Sequence, residues 1–555
     1  MRLFAFWLWA CAPPDSNPPP VPDPVVDPPD DPVPPALTLA IDAPTLGIRD
    51  LRCAATVAEG DVTAWRWTAD GAPTADVGSV IPAGKLVIGQ SWTCGATAEG
   101  PGGVTTATSP PFVVPAPPGG NVLIVLLDDM GTDKIASYHM ESPPAYTPTL
   151  DAFAAGALQL QTTWATSACS TTRAQLLTGR HGQRTGLVVS LADGQADFAL
   201  PDGEILLPEL LAFNRAGTVW DSLAIGKWHL ASDPLFTHGH VASQGFGAFQ
   251  GVKSNLDGES DYFEWLQVWA DGSQSGRTGY LTTAQADDTL ALLAGRQEPW
   301  LAYVALTAPH SPIHVPPADL QGTGVTAESA PADLFDAALE AADHELGRIF
   351  AGIDPDVLAR TTVIVLGDNG TPDFAVRPPL DPEHAKLTMY EGGVRVPLWI
   401  AGPLVAEPGR TSDALVSVLD VFATIADISG VPLTGEPGAH HFVRPGGAAT
   451  PIDGYSLLPL MSDPEAAGER QFLWLEGGAP NGSPPWVPGG GSVRDAAWKL
   501  LQIPGEPNRL YRLGPLLDEG EELIAAGPLD AEAESALVRL NLELARRRAT
   551  TTYAW

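Results

Sequence analysis

The sequence predicts an α/β protein with a mostly parallel central sheet, preceded by an all-β domain and followed by a small α+β subdomain. Short, continuous apolar runs predict the central sheet, because parallel strands are covered on both faces. Stretches with helical spacing alternate with these runs, for instance residues 333–350, and such alternation is typical of α/β folds. Between residues 37 and 114, short runs alternate apolar with polar residues and are separated by turn residues, which predicts an antiparallel sandwich.

The all-β domain, residues 37–114, contains two of the four cysteines and resembles an immunoglobulin-like domain. Trp92 stands two residues before Cys94, where that fold places its corner aromatic residue. The resemblance implies a disulfide between Cys53 and Cys94, which agrees with an exported protein. We expect a passive spacer domain, and a glycan- or partner-binding module is the alternative. The predicted strands are residues 37–41, 51–57, 62–67, 85–88 and 91–98.

Proline-rich segments mark the predicted domain boundaries. Residues 11–36 form a linker with twelve prolines and five aspartates, which we expect to be extended and about 75 Å long at about 3.1 Å per residue. A second linker, residues 115–120, precedes the main α/β domain at residues 121–464. The C-terminal subdomain, residues 465–555, has strand-like runs at 472–475, 497–501 and 510–513 and a closing helix to about residue 548.

Residues 1–10 resemble a bacterial lipoprotein signal peptide. They contain one positive charge, a short apolar run and a small residue before Cys11. The resemblance implies cleavage before Cys11, lipidation of its thiol and an exported protein held at the outer membrane or cell surface by this anchor alone. A periplasmic or secreted protein, or an uncleaved start, is the alternative. Elsewhere in the sequence no apolar run approaches the roughly 18 residues that a spanning helix needs.

The charge balance bears on the class of partner. Acidic residues outnumber basic ones 66 to 30, and the formal net charge is -36. Nearly every surface would therefore repel a nucleic-acid backbone, so we expect no nucleic-acid partner. A small anionic substrate requires a site where a few cations and a metal ion reverse the field.

Polar side chains directly follow four of the apolar runs. In an open α/β sheet, ligands bind beyond the carboxyl ends of the strands, so we expect these side chains to converge on one crevice. Three carboxylates and an amide oxygen make an oxygen-rich site that suits Ca²⁺ or Mg²⁺, and the lysines and histidines would then hold an anion against the cation. The residues are Asp128 and Asp129 after 121–127, Lys227 and His229 after 222–226, His310 after 300–308, and Asp368 and Asn369 after 361–367.

The stretch from Ser167 to Arg180 places Cys169 near the start of a predicted helix, with Gly179 suited to its C-terminal end. The helix N-terminus and Arg173, four residues on, are expected to favour an anion and to lower the pKa of the thiol. An ordinary helix with a buried thiol is the alternative interpretation. Lys386, in a turn-rich segment, supplies one more cation, and a surface loop is the alternative there.

These motifs together resemble the sulfatase family of the alkaline-phosphatase superfamily, over about residues 120–515. The family signature Cys-x-Pro-x-Arg, followed by Leu-Thr-Gly-Arg, is similar to residues 169–180. The family motifs Gly-Lys-Trp-His-Leu and Tyr-Glu-Gly-Gly-x-Arg-x-Pro stand unchanged at residues 226–230 and 390–397. The resemblance implies an alkaline-phosphatase-like sandwich, and it implies that the chain hydrolyses sulfate esters, with sulfated carbohydrate as the expected substrate.

The resemblance also implies roles for individual residues. A maturation enzyme would oxidise Cys169 to formylglycine, whose hydrate attacks sulfur through one hydroxyl and releases sulfate by means of the other. Arg173 would orient the hydrate, His229 would serve its second hydroxyl, and His310 would bond the leaving oxygen. The implied Ca²⁺ ligands, with Mg²⁺ as the less favoured ion, are Asp128, Asp129, Cys169, Asp368 and Asn369, and the implied sulfate-pocket residues are Arg173, Lys227, His229, His310 and Lys386.

The signature departs from the family pattern at Thr171, where the family has proline or alanine, and at Thr172, where serine or alanine is common. Loss of proline predicts weaker recognition by the maturation enzyme, whereas Arg173 and residues 177–180 favour conversion. One alternative function is a phosphonate or phosphodiester hydrolase of the same superfamily. Another is a catalytically inactive, sulfoglycan-binding surface protein.

Overall fold

The computed structural model of the chain places an all-β region before a large mixed sheet and a small sheet after it. The predicted signal peptide, residues 1–10, and the linker up to residue 33 lie outside the described residues. The structure describes residues 34–42, 50–82, 85–115, 118–191, 197–256, 258, 260–269, 271–435, 439–444, 447–478, 481–482, 488–514 and 519–550.

The N-terminal region contains two antiparallel sheets, ordered β1-β2-β5 and β4-β3-β6-β7, with β8 paired to β6. A disulfide joins Cys53 on one sheet to Cys94 on the other, and Trp67 packs edge-on against Trp92 between them, with ring centroids 6.2 Å apart. The strands are β1 (Ala36–Asp42), β2 (Leu51–Ala58), β3 (Asp61–Ala69), β4 (Ala72–Pro73), β5 (Val80–Ile81), β6 (Ser91–Gly100), β7 (Gly103–Thr108) and β8 (Phe112–Val113).

The prediction of a strand at residues 85–88 was wrong. This segment turns instead of extending, because the backbone N–H of Lys85 donates to Pro82 O and that of Gln90 donates to Val87 O. Leu86 is buried while Val87 is 58% exposed. A run of four mostly apolar residues between turns fits the pattern of a short strand even where no partner strand is present. The sequence pattern alone does not show whether such a partner exists.

A ten-stranded sheet forms the centre of the molecule, in the order β14-β13-β12-β11-β15-β9-β16-β17-β10-β18. Its strands are β9 (Asn121–Leu127), β10 (Leu158–Trp164), β11 (Asp221–Lys227), β12 (Ala248–Val252), β13 (Glu264–Val268), β14 (Gln274–Thr278), β15 (Trp300–Leu306), β16 (Thr361–Gly367), β17 (Leu398–Ala401) and β18 (Thr411–Ser417).

The five strands from β12 to β16 in that order run parallel to one another. The flanks are mixed: β13 and β14 pair antiparallel on one side, and β17 is antiparallel to both of its neighbours on the other. A mostly parallel sheet therefore describes the centre, which is where the predicted site residues leave the strands. The four predicted strands 121–127, 222–226, 300–308 and 361–367 correspond to β9, β11, β15 and β16 within two residues.

Side chains alternate between the two faces of the central sheet, as strand geometry requires. Val122, Ile124 and Leu126 point into one core, whereas Leu123 and Val125 point into the other. The first core also receives α2, α4 and α10, and the second receives α1, α6 and α7. The helices are α1 (Pro148–Ala155), α2 (Cys169–Thr178), α3 (Gly182–Thr185), α4 (Leu207–Leu211), α5 (His238–Ser243), α6 (Leu281–Leu293), α7 (Pro331–Gly352), α8 (Pro355–Leu358), α9 (Glu391–Val394), α10 (Asp420–Ser429), α11 (Leu458–Ser462), α12 (Leu523–Ala526) and α13 (Ala531–Thr550).

The C-terminal part pairs a four-stranded antiparallel sheet with the closing helix α13. Its strands β21 (Leu473–Gly478), β23 (Trp498–Gln502) and β24 (Arg509–Arg512) lie where the sequence predicts them, and β22 (Pro488–Arg494) was not predicted. A hairpin of β19 (His440–Val443) and β20 (Ala449–Ile452) precedes this part. Within the described part of the chain, no helix is both long and apolar enough to cross a membrane.

Candidate active site

The carboxyl ends of β9, β11, β15 and β16 meet at one edge of the central sheet. The backbone N–H of Asp129 donates to Asp368 Oδ1 at 2.9 Å. Arg173 Nη1 donates to the carbonyl oxygen of Lys227 at 2.7 Å, and His310 Nε2 lies 4.0 Å from Asp129 Oδ2. The carboxyl ends of the four strands therefore form a single site, as the alternation of apolar strands with helices in the sequence predicts.

Helix α2 begins at Cys169 and places its thiol against two carboxylates. Cys169 Sγ donates to Asp128 Oδ1 at 3.2 Å and lies 3.9 Å from Asp129 Oδ1. Lys386 Nζ lies 3.5 Å from the same sulfur. The helix ends at Gly179, whose φ of 66° is the left-handed conformation that favours glycine at a helix end. Within residues 34–550 as described, Cys169 is the free cysteine, and it is buried.

The expectation of a lowered thiol pKa was wrong. Burial raises the pKa of Cys169 well above its ordinary value, and the charges of Asp128 and Asp368 raise it further. Lys227 and Lys386 oppose this rise without outweighing it. The sequence shows the helix start and Arg173, but it does not show that Asp128 would lie against both that arginine and the thiol. The carboxylates therefore oppose ionisation of the thiol.

Threonine hydroxyls hold the segment that carries Cys169. Thr171 Oγ1 donates to the carbonyl oxygen of Ala168 at 2.8 Å and is also hydrogen-bonded to Thr166 Oγ1. The backbone N–H of Thr166 donates to Thr172 Oγ1 at 2.9 Å. The two threonines that depart from the family signature therefore make local bonds that close the turn before α2, and a proline at position 171 could not make those of Thr171.

Three cations pair with the three carboxylates of the site. Lys227 contacts Asp128, and Lys386 contacts Asp129. Arg173 Nη2 lies 3.2 Å from Asp128 Oδ2 and 2.9 Å from Asp368 Oδ2, and its side chain is fully buried. Burial alone would raise the pKa of Asp128, but the positive charges beginning with Lys227 hold it well below its ordinary value. Asp128 is therefore ionised at neutral pH.

Asp368 behaves differently from Asp128. Burial, followed by the negative charge of Asp128, raises the pKa of Asp368 to about 7, although Arg173 opposes the shift. Asp128 and Asp368 thus repel each other across the arginine that they share. A divalent cation among them would offset this repulsion.

The donor atoms present fit such a cation. One oxygen, sulfur or ring nitrogen from each of Asp128, Asp129, Cys169 and His310 lies within 4.8 Å of the others. Asn369 Nδ2 donates to Asp129 Oδ1 at 2.7 Å, while its own Oδ1 is buried without a hydrogen-bond partner. An unsatisfied amide oxygen beside clustered carboxylates is the hard, oxygen-rich donor set that Ca²⁺ and Mg²⁺ prefer. His310, which the sequence placed in the anion pocket, also reaches this cluster.

Both histidines are neutral imidazoles. Burial lowers the pKa of His229 well below its ordinary value, and Lys227 and Arg173 lower it further. Burial and then Lys227 also lower the pKa of His310. His229 Nδ1 is buried without a partner, and His310 Nδ1 lies 2.8 Å from the carbonyl oxygen of Ser311. Each ring therefore keeps one nitrogen free for a ligand.

Backbone conformation is unusual at three points of the site. Asp129, His229 and Leu387 have φ values of 74°, 57° and 70°. Residues other than glycine rarely adopt these values, and where they do, they concentrate at functional sites. The N–H of Leu387 donates to Ser167 O at 2.9 Å, which ties the Lys386 segment to the Cys169 segment. Lys386 is therefore part of the site, and its side chain is only 14% exposed.

The sequence missed one residue that positions His310. Tyr262 Oη donates to the carbonyl oxygens of His310 and Thr307, at 2.7 and 3.0 Å. Tyr262 is fully buried, and it precedes β13 in a part of the chain that carries no family motif. Nothing in the sequence connects this tyrosine to a loop nearly fifty residues later.

Comparisons with known proteins identify the family of this chain. The family model for sulfatases matches residues 120–431. N-acetylgalactosamine-6-sulfatase of Sus scrofa is 30% identical over 408 residues, which cover 68% of this chain and 70% of that protein. The crystal structure of Ps i-CgsB in complex with k-i-k-neocarrahexaose is similar in fold, with a TM-score of 0.61 and 19% identity over 77% of this chain and 92% of that one.

Phosphonate monoester hydrolase of Agrobacterium radiobacter also shares the fold, with a TM-score of 0.55 and 18% identity over 78% of this chain and 96% of that one. At such identity the likeness concerns the fold alone. The family match spans more than half of the 555 residues, and the cysteine, the carboxylates and the cations of the family motifs meet in one buried site. The chain belongs to the sulfatase family of sulfuric ester hydrolases.

Proposed function

We propose that this protein releases sulfate from sulfate esters of carbohydrate, with formylglycine formed from Cys169 and a bound Ca²⁺. The observation that carries the proposal is the position of Cys169, whose sulfur lies 3.2 Å from Asp128 and 3.5 Å from Lys386 inside the cluster of carboxylates and cations. Carbohydrate is supported by the relatives, because the protein from Sus scrofa is named for a sulfated amino sugar and Ps i-CgsB was crystallised with neocarrahexaose.

The contacts of Cys169 support its conversion. The side chain is buried between Asp128 and Lys386, so the hydroxyls of a formylglycine hydrate would meet a proton acceptor and a cation there. A hydrated formylglycine would supply one hydroxyl to attack the ester and a second from which sulfate is released. Asp128 lies where it can accept a proton from a group on the residue 169 side chain.

The proposed calcium ligands are Asp128, Asp129, Asp368, Asn369 and the side chain at position 169. A bound Ca²⁺ would supply Lewis acidity at the nucleophile and positive charge against the ester. Without it, the three carboxylates and the cations Arg173, Lys227 and Lys386 balance in charge. With it, the site carries surplus positive charge, which an anionic sulfate ester requires in a chain of net charge -36.

The side chains around this centre have separate proposed tasks. Arg173 is held by Asp128, Asp368 and the carbonyl oxygen of Lys227, so it fixes the geometry at residue 169. Lys227 and Lys386 lie on either side and would bind sulfate oxygens. His310 Nδ1 donates to Ser311 O, so in the neutral ring Nε2 faces the site as an acceptor. Once it has taken up a proton, Nε2 could donate to the leaving oxygen.

Mass spectrometry of the tryptic peptide from Ile135 to Arg173 tests the conversion. In protein purified from its native host, we expect residue 169 to have exchanged its sulfur for an aldehyde oxygen in a substantial fraction of molecules. Residue 171 is threonine in this signature, so we expect a Thr171→Pro variant to show an equal or larger converted fraction. Unmodified cysteine in both proteins would exclude the formylglycine route.

Removal of the metal ion is a further test. We expect a Ca²⁺ chelator to reduce sulfate release by at least about a hundredfold, because the ion contributes several kcal/mol to charge stabilisation. Added Ca²⁺ should restore the rate and stabilise the fold, by about 2.7 kcal/mol at a hundred times its dissociation constant. An Asp128→Asn variant should lose the calcium-dependent rise in unfolding temperature. A chelated enzyme that keeps both its rate and its unfolding temperature would contradict the proposed metal.

A second candidate reaction is hydrolysis of a phosphonate or phosphodiester, favoured by the shared fold of phosphonate monoester hydrolase. The comparison of aryl sulfate with aryl phosphate esters separates the two. We expect the sulfate ester to be the better substrate by kcat/KM, because the matching family model and the curated relatives are those of sulfatases. A strong preference for the phosphate ester would replace our proposal.

We also propose that the N-terminal domain is immunoglobulin-like and that the protein is exported and lipid-anchored through Cys11. Two antiparallel sheets joined by the Cys53–Cys94 disulfide support the first point. The disulfide is typical of an oxidising compartment and supports export. Metabolic labelling with a fatty acid, compared between the natural chain and a Cys11→Ala variant, tests the anchor.

A further inference from the structure

Four aromatic side chains form a continuous cluster, here called the aromatic shelf, beside the candidate active site. They are Tyr262, Phe263, Tyr280 and His314. The rings of Tyr262 and His314 are stacked with centroids 3.9 Å apart. Phe263 packs against two of the other members, with ring centroids 5.6 Å from Tyr280 and 6.0 Å from His314.

The topology places the shelf at the edge of the sheet where the site lies. Strand β12 runs parallel to β11, so the chain leaves β12 after Val252 at the same edge at which Lys227 ends β11. Phe263 lies at the end of the segment that follows. Its neighbour Tyr262 donates hydrogen bonds to the carbonyl oxygens of Thr307 and His310, so the shelf is attached directly to the His310 loop.

Two members of the shelf reach the surface. Tyr262 is fully buried and Tyr280 is 8% exposed, whereas Phe263 is 39% exposed and His314 is half-buried. Asp261 Oδ1 accepts hydrogen bonds from the backbone N–H groups of Phe263 and Glu264, at 2.7 and 2.8 Å, which fixes the turn that presents the ring. A large apolar ring fixed at the surface next to a reaction site is a common feature of ligand contacts.

His314 contributes a ring face and no charge. Its Nδ1 lies 3.0 Å from Pro312 O, and its Nε2 lies 3.1 Å from Tyr280 Oη. Both nitrogens are therefore engaged within the protein. Burial lowers the pKa of His314, which keeps the ring neutral. Phe263 and His314 together offer an apolar surface.

We propose that the aromatic shelf binds a neutral sugar ring of the sulfated glycan, which makes Phe263 a specificity-determining residue. This inference rests on the proposed function. A pyranose has an apolar face of C–H groups and a rim of hydroxyls. The face fits Phe263, and the exposed carboxylates of Asp261 and Glu264 on either side of it can accept from the hydroxyls. The same carboxylates disfavour a second sulfate at this position and would be desolvated without compensation by a purely apolar group.

Binding by a non-hydrolysing protein tests the shelf. In full-length Cys169→Ala protein, affinities are measured by calorimetry for a panel of chondroitin, heparin and carrageenan oligosaccharides. We expect Phe263→Ala in that background to weaken the best ligand about tenfold, because an aromatic face removes on the order of 50 Å² of apolar surface from water. Phe263→Trp should stay within about twofold, since it keeps an aromatic face.

Leu266→Ala is the matched control. Leu266 lies on the same hairpin with 38% exposure, close to the 39% of Phe263, but in the middle of β13. We expect its affinity to stay within about twofold of the parent. The unfolding temperatures of all variants are compared, so that a loss of affinity caused by unfolding can be distinguished from one caused by the missing side chain.

Turnover separates failure of the shelf from failure of the proposed function. With otherwise natural protein, Phe263→Ala should raise KM for the oligosaccharide about tenfold and leave kcat/KM for 4-nitrophenyl sulfate within about threefold. Equal losses on both substrates, or no change on the oligosaccharide, would overturn the shelf while sulfate release by the natural protein upheld the proposed function. No binding to any oligosaccharide and no sulfate release would overturn both.

Discussion

Replacement of Cys169 by alanine is expected to reduce sulfate release by at least about a thousandfold, because it removes the side chain that we propose becomes the nucleophile. The thiol touches Asp128 and Lys386, and no other group in the described site combines this position with suitable chemistry. Sulfate release from an oligosaccharide, measured under saturating Ca²⁺, is the readout.

The same variant should retain its fold and its ligand. Alanine keeps the helix start and removes a single atom from contact with the carboxylates, so we expect the unfolding temperature to change by only a few degrees. Gln175→Ala is the matched control, because Gln175 lies on the same helix but about 120° around from Cys169. We expect Gln175→Ala to keep the natural rate within about threefold. A Cys169→Ala protein with a tenth or more of that rate would require a different nucleophile.

The sequence predicted the centre of the fold because buried parallel strands leave an unambiguous pattern. The runs at 121–127 and 361–367 have the same bounds as β9 and β16. The edge strands were not predicted, because they leave no such pattern. Residues 274–278 of β14 are mostly exposed and polar, and nothing in their composition distinguishes an edge strand from a loop.

The positions of the site residues were predictable from the strand ends, but their electrostatics were not. Asp128, Lys227, His310 and Asp368 follow separate strands and meet as the fold class requires. The raised pKa of Cys169 depends on burial and on distances to two carboxylates, neither of which the chain order encodes. The catalytic and metal-binding roles of the site residues stay predictions, which the experiments above test.

The sequence also did not predict contacts between segments that are far apart along the chain. Trp164 at the end of β10, Glu391 at the start of α9 and Lys499 on β23 meet in one buried network. Glu391 belongs to the motif at residues 390–397, which the family shares. The sequence around it does not indicate which residues it pairs with. Only the packing of the C-terminal sheet on the main domain explains why a glutamate is buried there.

The Glu391→Gln substitution is expected to destabilise the protein by about 3–5 kcal/mol, because it leaves buried cations without their counter-charge. Glu391 is 4% exposed. It accepts from Arg494 Nη1 at 3.0 Å and from Lys499 Nζ at 3.1 Å, both of which are fully buried, and from Trp164 Nε1. Glutamine keeps the shape and loses the charge. Chemical denaturation, followed by the fluorescence of the tryptophans, measures the change.

The effect of Glu391→Gln should depend on pH with a definite sign. Burial alone would raise the pKa of Glu391, but Lys499 and Arg494 outweigh it and hold the pKa below the ordinary value of 4.5. A carboxyl whose pKa is lowered by folding stabilises the fold above its unfolded pKa and loses that contribution as the pH falls through the folded value. The difference in stability between the natural chain and the variant should therefore be largest near neutral pH and shrink below about pH 4.5.

Glu506→Gln provides the control for this measurement. Glu506 pairs with Arg509 three residues on, but its side chain is 43% exposed and that of Arg509 is 36% exposed, and exposed pairs contribute about 1 kcal/mol or less. A Glu391→Gln variant no less stable than Glu506→Gln would show that the buried network does not hold the C-terminal sheet against the main domain. If instead the large loss is observed and sulfate release falls with it, the C-terminal subdomain contributes to the site through α9, because the segment that carries Lys386 leads directly into that helix.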